Sequence, residues 1–174
     1  MTWADFGWDL AAFAAKQSFR LFFCRAKPAV AELAAEKLKE RHPQLNIVGI
    51  QHGYFDKTPG SLENQAVIQK INASQPDILI VGFGMPAQER WLKENIDQIE
   101  ATVIMTGGAV FDYISGTLDR GPRLLTENGF EWLARLLIEP RRLWKRYLLG
   151  NPLFLWRVLL QRMGWLYPRG NSSR

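Results

Sequence analysis

The stretch PDILIVGFGMPAQERW, residues 76–91, decides how this chain folds. It reads as a short buried β-strand, Ile78 to Val81, followed by a glycine turn and a helix that opens with Pro86. A β-branched apolar run of this length is typical of an interior strand of a parallel sheet. Because parallel sheets bind ligands at the carboxyl ends of their strands, we expect the functional site at the turn that contains Gly82 and Gly84.

Strand and helix patterns alternate on both sides of this stretch. Further strands are predicted at residues 20–23, 46–50 and 102–105. Helices are predicted at residues 28–41 and 86–98, in a segment that ends near residue 16, and in another that ends near residue 73. In the helix over 28–41, the side chains of Val30, Leu33, Ala34 and Leu38 are expected to share one face. This rhythm predicts an α/β fold: a mainly parallel, Rossmann-like sheet flanked by helices.

From Pro122 onward the pattern is helical only, with two or three helices interrupted by Gly129, Pro140 and Asn151-Pro152. We therefore predict two parts: an α/β core at residues 1–121 and an all-helical, basic appendage at residues 122–174.

Composition excludes several kinds of site. The chain has 174 residues with one cysteine, Cys24, and two histidines, His42 and His52. An internal disulfide is impossible, a zinc site is not expected, and the single thiol fits a reducing cytoplasm. No apolar run reaches the length of about 18–20 residues that a membrane span needs.

Charge is unevenly distributed along the chain. Residues 1–119 carry 11 Lys/Arg against 14 Asp/Glu, whereas residues 120–174 carry 11 against 3. The basic part is also rich in tryptophan and leucine, which favours an anionic membrane surface over nucleic acid as its partner. Packing of the segment 151–165 against the core is the other interpretation. The predicted membrane-contacting residues are Trp144, Arg146, Trp156, Arg157 and Trp165.

A second glycine turn, Gly107-Gly108, follows the strand predicted at 102–105. We expect it to lie beside the Gly82–Gly84 turn, so that backbone N–H groups of both turns form a diphosphate cradle. The first turn is neither a dinucleotide fingerprint nor a Walker loop, and taken alone it could be a plain strand-to-helix connection. Asp112 is either a turn residue or part of the pocket. His52, at a strand end, is either a hydrogen-bonded turn residue or a catalytic one.

Four motifs, in order, resemble those of the WecG/TagA/CpsF family of bacterial glycosyltransferases. They are VGFGMPAQERWL at 81–92, GGAVFD at 107–112, the segment from Gly116 through Arg120 to Pro122, and GFEWLARL at 129–136, which continues to EPRRLWKRY at 139–147. The resemblance covers about residues 45–160.

The resemblance implies a reaction. An N-acetylmannosamine-type sugar, or its uronic acid, would pass from a UDP donor to polyprenyl-diphosphate-linked N-acetylglucosamine. The acceptor would lie at the cytoplasmic face of the membrane, in the synthesis of teichoic acid, enterobacterial common antigen or a similar surface polysaccharide. The transfer is expected to be a direct displacement without a metal or other cofactor, and self-association through the α/β core is expected.

The resemblance also assigns residues. Gln88 would contact the sugar nucleotide or lie beside the reacting centre, and Asp112 belongs to the pocket. Arg120, Arg135 and Arg142 would hold diphosphate through bidentate contacts, with Arg135 the strongest candidate. The substrate-binding prediction is therefore Gly82, Gly84, Gln88, Gly107, Gly108, Asp112, Arg120, Arg135 and Arg142.

Two departures from the family pattern give an alternative. The family's proposed general base lies in a segment that precedes the part matched by this chain, so no catalytic base is identified and Gln88 is the nearest candidate. Where the family has paired glycines, this chain has Cys24-Arg25-Ala26, predicted to form the first strand-to-helix turn. The alternative is a truncated, catalytically impaired homologue that only binds UDP-sugar or membrane. A dehydrogenase-like enzyme and a nucleic-acid-binding module are less favoured.

Overall fold

The computed structural model describes residues 3–25, 28–118, 131–138 and 140–163. They fall into two compact units, 1–118 and 119–174. The first unit contains β1 (Arg20–Arg25), β2 (Asn46–His52), β3 (Ile78–Gly82) and β4 (Val103–Thr106). Its helices are α1 (Trp3–Gln17), α2 (Pro28–Arg41), α3 (Leu62–Ala73), α4 (Ala87–Asn95) and α5 (Gly108–Ser115), with a 3-10 turn at Ile96–Gln98.

The four strands form one parallel sheet in the order β2-β1-β3-β4. The predicted fold class is therefore confirmed. Because β2 and β3 lie on opposite sides of β1, the order of the strands reverses between β1 and β3. In open parallel sheets, ligands bind in the crevice outside the carboxyl ends of the strands at such a reversal.

The two central strands explain why the sheet is buried on both faces. Leu21 and Phe23 of β1 belong to one apolar cluster, together with residues of α1, α2 and α5. The intervening Phe22 and Cys24 belong to a second cluster, together with α3 and Trp91 of α4. Side chains alternate between the faces of a strand, so a continuous apolar run supplies both layers at once.

Three local predictions, two on element boundaries and one on a buried helix face, were wrong. Cys24 and Arg25 lie in β1 rather than in a turn, because their backbone pairs with both β2 and β3. Pro86 precedes the first residue of α4, and its carbonyl accepts the bond from the N–H of Arg90 at 3.2 Å, as an N-cap residue does. Leu33 is 36 % exposed and does not share the buried face of α2.

The second unit is helical, with α6 (Glu131–Ile138), α7 (Pro140–Trp144), a π-helical segment (Lys145–Gly150) and α8 (Asn151–Arg162). Its apolar side chains are largely exposed along α8, where Leu153, Phe154, Leu155 and Trp156 are each more than half exposed. Within the described residues, no helix is both long enough and apolar enough to cross a bilayer.

Gly7 allows α1 to pack closely on α5. A Cβ added to Gly7 would lie 2.5 Å from Val110 Cγ2 and 3.0 Å from Ile114 Cδ1. We predict that Gly7→Ala lowers the free energy of unfolding by about 1–2 kcal/mol, because overpacking outweighs the gain in helix propensity. Urea unfolding followed by circular dichroism measures the change.

Two further variants check this explanation. The cost of Gly7→Ala should shrink in a Val110→Ala background, which removes the opposing methyl group. Gly150→Ala is the matched control, since the nearest atom to its added Cβ is 3.7 Å away. A wild-type or higher stability for Gly7→Ala would contradict the close packing.

Candidate functional site

The first glycine corner is closed by Gln88. The Gly84 residue has a φ of 92°, a conformation that favours glycine. Its N–H donates to Gln88 Oε1 at 3.1 Å, and its carbonyl accepts from the Gln88 N–H at 3.1 Å. Gln88 is buried, and its Nε2 donates to Glu89 Oε1 at 2.8 Å. In this arrangement the Gln88 side chain holds the shape of the corner.

The second glycine corner lies directly beside the first, as predicted. β4 is hydrogen-bonded to β3, and the N–H of Gly107 donates to the carbonyl of Val81 at 2.9 Å. α5 begins at Gly108, and its N-cap residue, Gly107, has no side chain to cap the first turn. The first N–H groups of a helix have no intrahelical acceptor, so this end of α5 presents positive potential at the carboxyl edge of the sheet.

The predicted source of the cradle's N–H groups needs a correction. The N–H of Gly84 is occupied by Gln88, and that of Gly107 by Val81. Neither amide is available to a ligand in this conformation. The start of α5 is the better source of backbone donors, because its first-turn amides have no intrahelical acceptor.

Arg25 is the residue that the sequence interpretation missed. It is the last residue of β1 and pairs in register with Gly82 of β3 and His52 of β2. Its Nη1 donates to the carbonyl of Gly82 at 2.9 Å, and its Nη2 forms an ion pair with Asp112 Oδ2. A charged residue directly after an apolar strand was the available signal, but it was interpreted as part of a turn.

Asp112 projects from α5 toward this arginine. Its side chain is 23 % exposed, against 9 % for that of Arg25. The far end of α5 is fixed by Gly116, which has a φ of 74°, and by Lys37, whose Nζ donates to the carbonyl of Ser115 at 2.8 Å. The described geometry thus places Gly82, Gly107 and Asp112 around one crevice, together with Arg25.

Comparison with known proteins agrees with the motifs of this edge. The model of the glycosyl transferase WecG/TagA/CpsF family matches residues 1–166. The chain belongs to this family. A relative from Staphylococcus aureus strain COL is 32% identical over 141 residues, 80% of this chain and 52% of the relative. A second, from strain MW2, is 31% identical over the same shares.

Both relatives are named N-acetylglucosaminyldiphosphoundecaprenol N-acetyl-beta-D-mannosaminyltransferase. The chain spans about half the length of these relatives, with 52% of each covered.

The segment Glu89-Arg90-Trp91 at the start of α4 is anchored from behind by a buried polar network. Trp91 Nε1 donates to Asn64 Oδ1, and Asn64 Nδ2 donates to Asn95 Oδ1, both at 2.7 Å. Asn95 Nδ2 in turn donates to the carbonyl of Trp91 at 2.7 Å. Because buried amides are costly when unpaired, this closed network fixes α4, and with it the Gln88 corner, against α3.

An aromatic cluster adjoins the first corner. Phe83 packs edge-on against Trp91 and Phe55, with ring centroids 5.4 and 5.7 Å apart. Lys57 Nζ lies 4.4 Å from the centroid of Phe55 and 4.9 Å from that of Phe83. Burial lowers the pKa of Lys57, against the opposing effect of Asp56. A second cation therefore stands near this edge of the sheet.

An open groove of about 310 Å³ lies beyond the end of β2. Its lining includes His52, Tyr54, Glu63 and Lys70. His52 is exposed. Within the described ranges, no three His, Cys, Asp or Glu side chains are grouped to hold a metal ion.

The remaining predicted residues belong to the second unit. Arg120 and Trp165 lie outside the described residues. Arg135, Arg142 and Arg146 fall within helical segments, but their side chains are outside what the structure describes. Trp144, Trp156 and Arg157 are exposed. The assignment of Arg120, Arg135 and Arg142 to diphosphate therefore stays a prediction, as does the assignment of the other five residues to the membrane.

Cys24 points into the second apolar cluster and is fully buried. Burial raises the pKa of its thiol to about 12. Because the thiolate is the reactive form, we predict that native protein reacts with a disulfide reagent at least about 100-fold more slowly than unfolded protein at pH 8. Absorbance of the released thiol, followed with and without urea, measures both rates.

The same assay has an internal control. The rate should rise with urea along the unfolding transition recorded by circular dichroism. Rapid labelling of the folded protein would contradict the burial of Cys24.

Proposed function

We propose that this chain is the donor-binding part of a glycosyltransferase. It would act in transfer of an N-acetylmannosamine-type sugar from UDP to polyprenyl-diphosphate-linked N-acetylglucosamine. The observation that carries this proposal is the pair of adjacent glycine corners, Gly82–Gly84 and Gly107–Gly108, at the carboxyl edge of the sheet. Both corners lie within residues 1–166, which the model of the family matches.

The chemistry of the site suits a departing nucleotide. Displacement at the sugar leaves UDP, whose diphosphate gains negative charge as the glycosidic bond breaks. The uncapped start of α5 would stabilise that charge through its amides and dipole. Arg120, Arg135 and Arg142 of the basic part would add guanidinium contacts to phosphate oxygens. We propose that these groups act without a metal ion.

A direct displacement also needs a base to accept the proton of the acceptor hydroxyl. Gln88 cannot serve as that base, because a neutral amide does not take up a proton near pH 7. Its place in the mechanism is to hold the first corner, through the bonds that link it to Gly84. We assign the base to no residue of the described site.

The second unit fits a lipid-linked acceptor. Residues 120–174 carry eight more basic than acidic residues. In α8, exposed large apolar side chains lie on both sides of Arg157 in the sequence. Such a helix binds the interface of an anionic bilayer. We therefore propose a peripheral location at the inner face of the bacterial cell membrane. Self-association of the α/β core remains a prediction.

The alternative function is binding of UDP-sugar without transfer of the sugar by this chain alone. The altered segment Cys24-Arg25-Ala26 favours it, because Arg25 carries a charged side chain into the crevice where the family pattern has glycine. UDP binding and UDP release therefore need separate measurements.

The first experiment measures UDP binding by titration calorimetry on the wild-type chain. We predict binding, and we predict that Gln88→Ala weakens it about 10-fold, since the loss of the partly buried hydrogen bond from Gly84 loosens that corner. Gln65→Ala is the matched control, because Gln65 is an exposed glutamine on α3. A wild-type chain without measurable UDP affinity would refute the donor-binding proposal.

A turnover assay then separates the two outcomes. UDP release from UDP-N-acetylmannosamine in the presence of polyprenyl-diphosphate-linked N-acetylglucosamine supports the enzyme, and binding without release supports the binding-only chain. NAD-dependent tryptophan quenching with no UDP effect would instead favour a dehydrogenase-like protein.

Membrane association is tested by co-sedimentation with vesicles. We predict binding to vesicles that contain anionic lipid, weakened by salt, and little binding to zwitterionic ones. Arg157→Glu should weaken binding by about 10-fold or more, since each basic residue near the surface contributes ~1 kcal/mol. Lys39→Glu, an equivalent charge reversal on the exposed part of α2, should have little effect. Salt-sensitive affinity for duplex DNA without affinity for vesicles would overturn this part of the proposal.

A further inference from the structure

Arg25 occupies the strand-order reversal of the sheet. It ends β1, and Gly82, its partner in register, ends β3. These are the two strands between which the order reverses. The crevice outside such strand ends is where an open parallel sheet binds its ligand. The Arg25 guanidinium thus lies at the strand-order reversal, where sheets of this kind bind their ligands.

The surroundings of this guanidinium are incomplete. Among residues whose side chains the structure describes, Arg25 is the only buried lysine or arginine. Its Nη1 is bonded to Gly82, and its Nη2 is paired with Asp112. Its Nε–H is buried and has no hydrogen-bond partner among the residues that the structure describes. Since buried donors in proteins are almost always paired, Nε needs an acceptor that the described residues do not supply.

We propose that Arg25 binds a phosphate oxygen of the donor's diphosphate, with Asp112 as its positioning residue. The guanidinium offers five N–H groups, and among the described residues two of them have acceptors, the Gly82 carbonyl and the Asp112 carboxylate. Nε and a neighbouring terminal nitrogen form the fork that matches two phosphate oxygens. Asp112 holds the fork at the crevice and balances its charge.

The start of α5 supplies the second half of this site. Asp112 lies on α5, so the same short helix both presents its uncapped amides and holds the guanidinium. An anion in the crevice would meet the positive end of α5 and the fork of Arg25 together. This arrangement takes over the role that the occupied amides of Gly84 and Gly107 do not fill.

This inference rests on the proposed donor-binding function, and its test uses two probes, inorganic pyrophosphate and UDP, on the full chain. Titration calorimetry of the wild type should show binding of both, with UDP tighter. Arg25→Met should weaken both by about 10- to 150-fold, the range for loss of a charge-assisted hydrogen bond. Arg25→Lys should recover only part of the affinity, since an ammonium lacks the fork.

Arg20→Met is the matched control. Arg20 begins the same strand, and its guanidinium donates to the carbonyl of Ser74 at 2.8 Å, at the opposite edge of the sheet. Its substitution should leave both affinities unchanged. Arg25→Gly distinguishes a ligand-binding arginine from one that merely fills the crevice. Equal or tighter binding by Arg25→Gly or Arg25→Met would overturn the proposal.

The two proposals fail in different ways. UDP binding that survives Arg25→Met leaves the donor-binding function standing and refutes the role of Arg25. If pyrophosphate binding depends on Arg25 but UDP binds no more tightly than pyrophosphate, the anion site at Arg25 is supported. The proposal that the chain binds a nucleotide is then refuted. Absence of both affinities in the wild type refutes both proposals.

A spectroscopic measurement covers variants that fail to fold. In wild-type protein, the Arg25 Nε–H resonance, assigned through its own side-chain carbons, should shift on addition of pyrophosphate while that of Arg20 does not. An unmoved Arg25 resonance at saturating pyrophosphate would refute the contact. Asp112→Asn, which keeps an acceptor but removes the charge that holds the guanidinium, should reduce the shift.

Discussion

The pairing of β1 with β3 is the constraint on which the rest of the structure depends. Five residues of each strand are in register, from Leu21 with Ile78 to Arg25 with Gly82. Their alternating side chains supply both apolar clusters, so the two helical layers meet the sheet along this pair. Because both strands end together, the crevice at the order reversal has a fixed floor. The strand pair that forms the core therefore also positions the site.

A buried guanidinium at this place is costly unless something compensates for it. Desolvation of the Arg25 charge is offset by Asp112 and by the carbonyl of Gly82. Removal of one partner from such a pair typically costs about 3–5 kcal/mol. The pair also ties α5 to the end of β1, since Asp112 lies on that helix. Stability and ligand recognition thus share the same side chains at the edge of the sheet.

The sequence predicted the elements well and the edge contacts less well. The helix at 28–41 and the parallel rhythm follow from local patterns of apolar residues. The extension of β1 through Arg25 depends on strands far away in the chain, so local patterns did not reveal it. Likewise, Gly84 looked like a free donor because the bond to Gln88 is set by the fold of the corner. Periodicity locates a site, but side-chain to backbone bonds decide which donors remain.

The same reasoning separates two kinds of positive charge in this chain. The core has more acidic than basic residues, yet its crevice holds one fixed guanidinium and the start of α5. These groups are held in place by packing, which suits recognition of one phosphate geometry. The basic excess of residues 120–174 lies beside exposed apolar side chains, which suits attraction to a charged surface. Residues 1–119 are slightly acidic overall, so the start of α5 and the Arg25 guanidinium make the carboxyl edge of the sheet a favourable place for an anion within this part of the chain.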